Sequence, residues 1–264
     1  MDLSKAKYLV PNSLTLASVF CGLSSIYQSM TAHSSEQIVL AAWLIVVAML
    51  CDLFDGRLAR IADAQSDFGV QLDSLADGVS FGVAPAMLLF SWGLEPLGMG
   101  GMFIAFIFAG CALMRLARFN VMSTDSGGKT KYFTGLPTPL AAGAVVSVVL
   151  AHVNVTGKMA TGAYWNAAVM TMLFGGLMVS NVRYRTFKDV NFRGRAGVFL
   201  VALVASVATL AVVARPSVAF VTIMVLYVVI GLGGGIVELG RNIFGSEHPE
   251  VEEEYLVEAH EEER

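Results

Sequence analysis

Charge is scarce in this chain. Asp, Glu, Lys and Arg make up 14% of its 264 residues while 56% are hydrophobic, a balance that excludes an ordinary soluble domain and describes an integral membrane protein. Cysteine is scarcer still. Cys21, Cys51 and Cys111 lie in separate apolar stretches without metal-ligand spacing, which excludes a disulfide framework and leaves them as small packing residues. None of His33, His152, His248 and His260 is followed two residues later by Lys, so the His-x-Lys signature of phospholipase-D-like enzymes is absent. No phosphate-binding P-loop or internal repeat is present either. The first apolar run has no small-residue cleavage site and is long enough to span a bilayer, so it is expected to be retained.

What the chain has in abundance is long apolar runs. Spans of about 20 residues can be laid down at 9–29, 37–62, 69–91, 99–121, 137–153, 161–182, 196–214 and 217–240. The expected fold is therefore an all-α integral membrane bundle of about eight transmembrane helices. Residues 1–244 would form the membrane domain, and 245–264, rich in Glu, an acidic disordered tail. An even number of spans puts both termini on one side. Of the 17 Lys and Arg residues only Lys158 and Arg215 then fall on the opposite side, which by the positive-inside rule makes the basic side, with both termini, cytoplasmic. The expected location is the cell (inner) membrane, with basic cytoplasmic loops suited to anionic lipid and phosphate. Pro85, inside the third span, is expected to kink the helix or free a carbonyl.

Acid residues interrupt these runs at one place, DLFDGRLARIADAQSDFGVQLDSLAD, residues 52–77. Asp52 and Asp55 are three apart and Asp73 and Asp77 four apart, so each pair shares one helical face. The polar, glycine-terminated stretch between them reads as a turn between antiparallel helices, with Asp67 as N-cap of the second. The two pairs would then face each other at equal depth. An aspartate in a membrane helix costs about 2.5–3.5 kcal/mol on insertion scales, and four clustered carboxylates also repel one another, so a cation must hold them together. All-oxygen ligation suits Mg²⁺ or Mn²⁺, and four carboxylates balance two such ions. Gly56 and Ala59 remove bulk beside the acids, Arg60 lies on the same face for a phosphate, and Gly69 opens the facing helix. Intramembrane carboxylates also mark ion paths, so a cation transporter is the competing class.

The spacing Asp52-x-x-Asp55-Gly56-x-x-Ala59-Arg60, eight residues, then Gly69-x-x-x-Asp73-x-x-x-Asp77 resembles the signature of the CDP-alcohol phosphatidyltransferase family at every fixed position. The resemblance implies a bundle with a polar, metal-binding cavity open to the cytoplasm, CDP-diacylglycerol as phosphatidyl donor, CMP as leaving group, and two divalent cations, Mg²⁺ or Mn²⁺, acting on the diphosphate. It also implies Asp52, Asp55, Asp73 and Asp77 as metal ligands, with Asp77 also the base that takes the acceptor's proton. CDP-diacylglycerol would contact Gly56, Ala59, Arg60 and Gly69. Asn12 joins them because similar proteins carry a Pro-Asn-x-x-Thr start, here Pro11 to Thr15. A homodimer is expected on the same ground.

The core signature leaves the acceptor alcohol open. The flanking segments DSLADGVSFGVAPA, RLARFN, FTGLPTP and SNVRYRTFKD look like those of the membrane-embedded branch that uses L-serine, which implies serine as acceptor, with glycerol 3-phosphate as the alternative. Arg115 and Arg118, three apart at the end of the fourth span, are the candidates to bind the serine carboxylate. In a background lacking Cys21, Cys51 and Cys111, Lys129→Cys and Arg193→Cys are expected to react with an impermeant thiol reagent from the cytoplasmic side of sealed vesicles, and Lys158→Cys and Arg215→Cys from the other. Cytoplasmic labelling at 158 would break the span count.

Overall fold

The computed structural model describes residues 3–61, 66–125, 132–158, 160, 162, 164–180 and 183–185. The expected spans at 196–214 and 217–240 and the acidic tail lie outside the described residues. Two long helices open the chain, α1 (Leu3–Met30) and α2 (Ser35–Ile61), joined by a short turn and packed along each other. The turn is closed by Thr31, whose N–H and hydroxyl both donate to the Tyr27 carbonyl at 3.1 and 2.8 Å. Gln37 Oε1 accepts from the His33 N–H at 2.7 Å at the start of α2.

The third apolar run is one continuous helical rod of 31 residues, Asp67–Leu97. It comprises α3 (Asp67–Asp77), a π-helical segment (Gly78–Val83), α4 (Ala84–Leu89), a second π segment (Phe90–Leu94) and a closing 3₁₀ turn (Glu95–Leu97). Pro85 explains the first widening. Proline has no N–H to give the carbonyl four residues back and its ring crowds that carbonyl. The Ala84 N–H instead reaches Val79 O, five residues back. The expected disturbance is thus a change of helical register, absorbed within the rod.

Helix α5 (Met99–Asp125), α6 (Thr138–Thr156) and α7 (Tyr164–Val179) complete the described bundle. Pro139 sits in the first turn of α6, where a missing N–H is no loss. Four helices, α2, the Asp67–Leu97 rod, α5 and α6, are long and apolar enough to cross a membrane. Helix α7, expected as a full span at 161–182, has 16 residues.

The packing is that of a protein in lipid. On α2, Ile38, Ala41, Ala42, Ile45 and Ala48 are buried while Leu40, Trp43, Val47, Leu50 and Phe54 are exposed. Small residues at helical spacing let backbones approach, and the large apolar ones face outward. Helix α6 is largely buried, with Ala141 to Val146 all inside.

Two three-residue strands depart from the all-helical expectation. Strand β1 (Tyr132–Thr134) pairs antiparallel with β2 (Arg183–Arg185), Phe133 opposite Tyr184. They tie the segment before α6, read from sequence as a flexible basic loop, to the segment after α7. Leu136 N–H donates to Leu177 O at 3.0 Å, extending the tie. Gly135, with φ of 81°, lets the chain pass the end of α7 so closely that a Cβ would strike Met178 O. Gly135→Ala is therefore expected to destabilise the protein by more than about 1 kcal/mol. Gly110→Ala, with nothing within 4 Å of the added methyl, should be close to neutral. Thermal unfolding of the two purified variants side by side checks the contrast.

Candidate functional site

The end of α2 and the start of α3 form one side of the site, and α1 forms the other. Helix α2 stops at Ile61, and α3 is capped by Ser66, whose extended backbone (φ −145°, ψ 151°) lets its hydroxyl accept from the Gly69 N–H at 3.0 Å. The N-cap is thus Ser66, one residue before the expected Asp67, which falls in the first turn. Either residue type can cap; the serine hydroxyl is the one positioned to reach the free N–H.

This hairpin brings the acids together as the spacing predicts. One carboxylate oxygen from each of Asp52, Asp55 and Asp73 lies within 4.8 Å of the others. Asp77 lies one turn beyond Asp73 on the same face of α3. Asp55 is buried at 3% exposure, and Thr15 Oγ1 of α1 donates to its Oδ2 at 2.7 Å. Two like charges about 4 Å apart repel by roughly 4 kcal/mol at an effective dielectric near 20. Such a cluster is held most simply by a divalent cation, and its all-oxygen donors fit a hard ion such as Mg²⁺ or Mn²⁺.

Beside the acids runs a groove of about 310 Å³, within the size range of small-ligand sites. Asn12 and Thr15 line it from α1, Asp55, Gly56, Ala59 and Arg60 from α2, and Ser66, Gly69, Val70 and Asp73 from the cap and start of α3. Every residue expected to contact the donor nucleotide therefore lines one space. The two glycines play different parts. A Cβ on Gly69 would sit 3.2 Å from Ser66 Oγ and 3.8 Å from Asn12 Oδ1, so neighbouring side chains crowd it. A Cβ on Gly56 would meet nothing within 4 Å among the described residues; no packing among them calls for glycine there, and Gly56 lines the groove. Arg60 folds back along α2, its Nε donating to Gly56 O at 2.9 Å, which anchors the guanidinium at the groove's edge.

The two arginines of α5 part company. Arg115 is buried and its Nη1 donates to Thr138 Oγ1 of α6 at 3.0 Å, whereas Arg118 is exposed. Neither lines the groove. Sequence reasoning missed the link beside them: Asn120 Nδ2 donates to Ser74 Oγ at 2.9 Å, fastening the end of α5 to the helix of Asp73 and Asp77. It also missed Val70 and the capping Ser66. The S-x-x-G pattern at Ser66 to Gly69 was the available signal for the cap.

Residues 8–176 match the family model described as CDP-alcohol phosphatidyltransferase. The chain is 36% identical over 231 residues to a CDP-diacylglycerol–serine O-phosphatidyltransferase of Helicobacter pylori strain J99, covering 85% of this chain and 90% of that one. It is 34% identical over 179 residues to the enzyme of that name from Bacillus subtilis strain 168, covering 68% and 91%. With the enzyme of that name from Mycobacterium tuberculosis strain H37Rv it shares 33% over 214 residues, covering 78% and 71%. Addition of Mg²⁺ or Mn²⁺ to purified, metal-stripped protein is expected to raise its melting temperature. At an ion concentration of 100 times Kd the gain is about 2.7 kcal/mol. Asp52→Asn combined with Asp73→Asn should abolish that gain in the same thermal assay.

Proposed function

The chain belongs to the CDP-alcohol phosphatidyltransferase family, and from that membership we propose that it transfers the phosphatidyl group of CDP-diacylglycerol to the hydroxyl of L-serine, giving phosphatidylserine and CMP. The observation that carries this reading is the juxtaposition of three carboxylates within 4.8 Å with a groove that Gly56 leaves open. An anionic diphosphate can approach the α2 backbone there without meeting a side chain. The names of the relatives favour serine among the possible alcohols.

Asn12, Gly56, Ala59, Arg60 and Gly69 would receive the cytidine diphosphate, Arg60 supplying a cationic fork for a phosphate. Asp52, Asp55, Asp73 and Asp77 would hold two divalent cations, Mg²⁺ or Mn²⁺. When bound, these ions supply neutralisation of the diphosphate and of the charge growing on the departing phosphate. The serine oxygen forms the new bond to the lipid-side phosphorus as the bond to the CMP oxygen breaks. Asp77 takes the hydroxyl proton. Arg115, held at Nη1 by Thr138, is the better placed of the two arginines to bind the serine carboxylate, since a buried guanidinium competes less with water. Arg118, exposed on the same helix, would serve at the headgroup level.

The basic loops favour the cytoplasmic face of the cell (inner) membrane for this chemistry, where one substrate would arrive in the bilayer and the other in water. Both termini would be cytoplasmic, and the working unit a homodimer. A phosphorylated acceptor also suits a buried arginine, so glycerol 3-phosphate is the second reading.

Purified protein given labelled CDP-diacylglycerol, divalent metal and equimolar L-serine and glycerol 3-phosphate is expected to release CMP and form phosphatidylserine. Consumption of glycerol 3-phosphate alone would overturn the acceptor and keep the family chemistry; ion flux without CMP release would favour the transporter. Asp77→Asn should lower kcat about 10²–10⁴-fold with a smaller loss of CDP-lipid binding, and near wild-type turnover would remove Asp77 as the base.

A further inference from the structure

Helix α1 contributes to the site a contact that the signature does not contain. Thr15 and Asp55 are 40 residues apart in sequence, and both are buried, at 6% and 3% exposure, where the hydroxyl donates to Oδ2 at 2.7 Å. A carboxylate is a weak fixture by itself, since rotation about its terminal torsion is broad. A hydroxyl on one oxygen restricts that rotation and leaves the other oxygen for a further partner. The donor is itself constrained. Threonine is stiff at its first torsion, and the Thr15 hydroxyl reaches across to another helix.

We propose that Thr15 is the positioning residue of the acid cluster, orienting the Asp55 carboxylate so that it joins Asp52 and Asp73 around one divalent cation. The proposal rests on the reading of this cluster as a metal site. It makes α1 part of the metal centre, and a displacement of α1 against α2 would then change ion affinity directly. A hydrogen-bond partner that orients a metal ligand typically contributes 10–100-fold in affinity. A direct contact between Thr15 and the nucleotide predicts a different pattern, because it acts on the lipid substrate and not on the ion.

Mn²⁺ binding to the purified, metal-stripped protein without lipid substrate, followed by the resonance of the free ion, separates the two. Thr15→Val, which keeps the shape and removes the donor, should weaken Mn²⁺ about 10–100-fold, while Thr15→Ser should bind it nearly as wild type does. Thr15→Ala carries the same expectation if the valine does not fit. Equal Mn²⁺ affinity in wild type, Thr15→Val and Thr15→Ala would overturn the positioning role and leave the metal site standing. If wild type itself binds no Mn²⁺, the metal reading fails and the inference fails with it.

Discussion

Mutual repulsion among carboxylates is the constraint on which the described structure turns. Asp52, Asp55 and Asp73 bring oxygens within 4.8 Å of one another, in helices otherwise built for lipid, and Asp77 follows Asp73 by one turn on the same face of α3. Nothing in an apolar bundle favours that arrangement for its own sake, because each charge is costly and each neighbour makes the next one costlier. It persists where the backbone leaves no alternative and a counter-charge is at hand. The α2–α3 hairpin supplies the backbone, with Ser66 fixing where α3 begins and Thr15 fixing Asp55 from the side. The all-oxygen donor set suits a hard divalent ion as counter-charge.

The rest of the bundle keeps that hairpin in register. Ser80 faces α1 from the rod, its hydroxyl donating to Ser18 O at 3.0 Å, and Gly22 lies against Ser80 so closely that a Cβ would come within 2.9 Å of its hydroxyl. Ser18 and Gly22 lie one and two turns along α1 from Thr15, so the depth of α1 and the orientation of Asp55 are set together. Across the rod, Asn120 holds Ser74, and the π register around Pro85 lets the helix that carries Asp73 and Asp77 continue unbroken through the core. The site therefore draws rigidity from helices on both sides, as a site that must hold like charges requires.

Much of this was legible in the sequence, for a physical reason. Membrane spans declare themselves by length and apolarity, because unsatisfied backbone is not tolerated in lipid. The runs at 37–62, 69–91, 99–121 and 137–153 correspond to helices within a few residues. The carboxylate pairing followed from helical periodicity alone: three and four residues are one turn, and a turn with glycine joins antiparallel neighbours. That Gly56 and Arg60 share one space was legible too, because residues four apart lie on one helical face, and both line the groove.

Contacts between helices distant in sequence have no periodic signature, and only the folded chain decided them. Thr15 meeting Asp55, Asn120 meeting Ser74, and the separation of a buried Arg115 from an exposed Arg118 depend on how α1, α5 and α6 pack around the hairpin. The β1–β2 ribbon escaped notice because three-residue strands are too short for alternation to show, and Gly135 looked like any loop glycine until α7 was beside it. The sequence by itself determined the membrane helices and the acid pairs, since both are written in local spacing. Which oxygens meet, which arginine is buried and which glycine leaves room for a ligand came from tertiary packing, the only thing that brings such distant residues together.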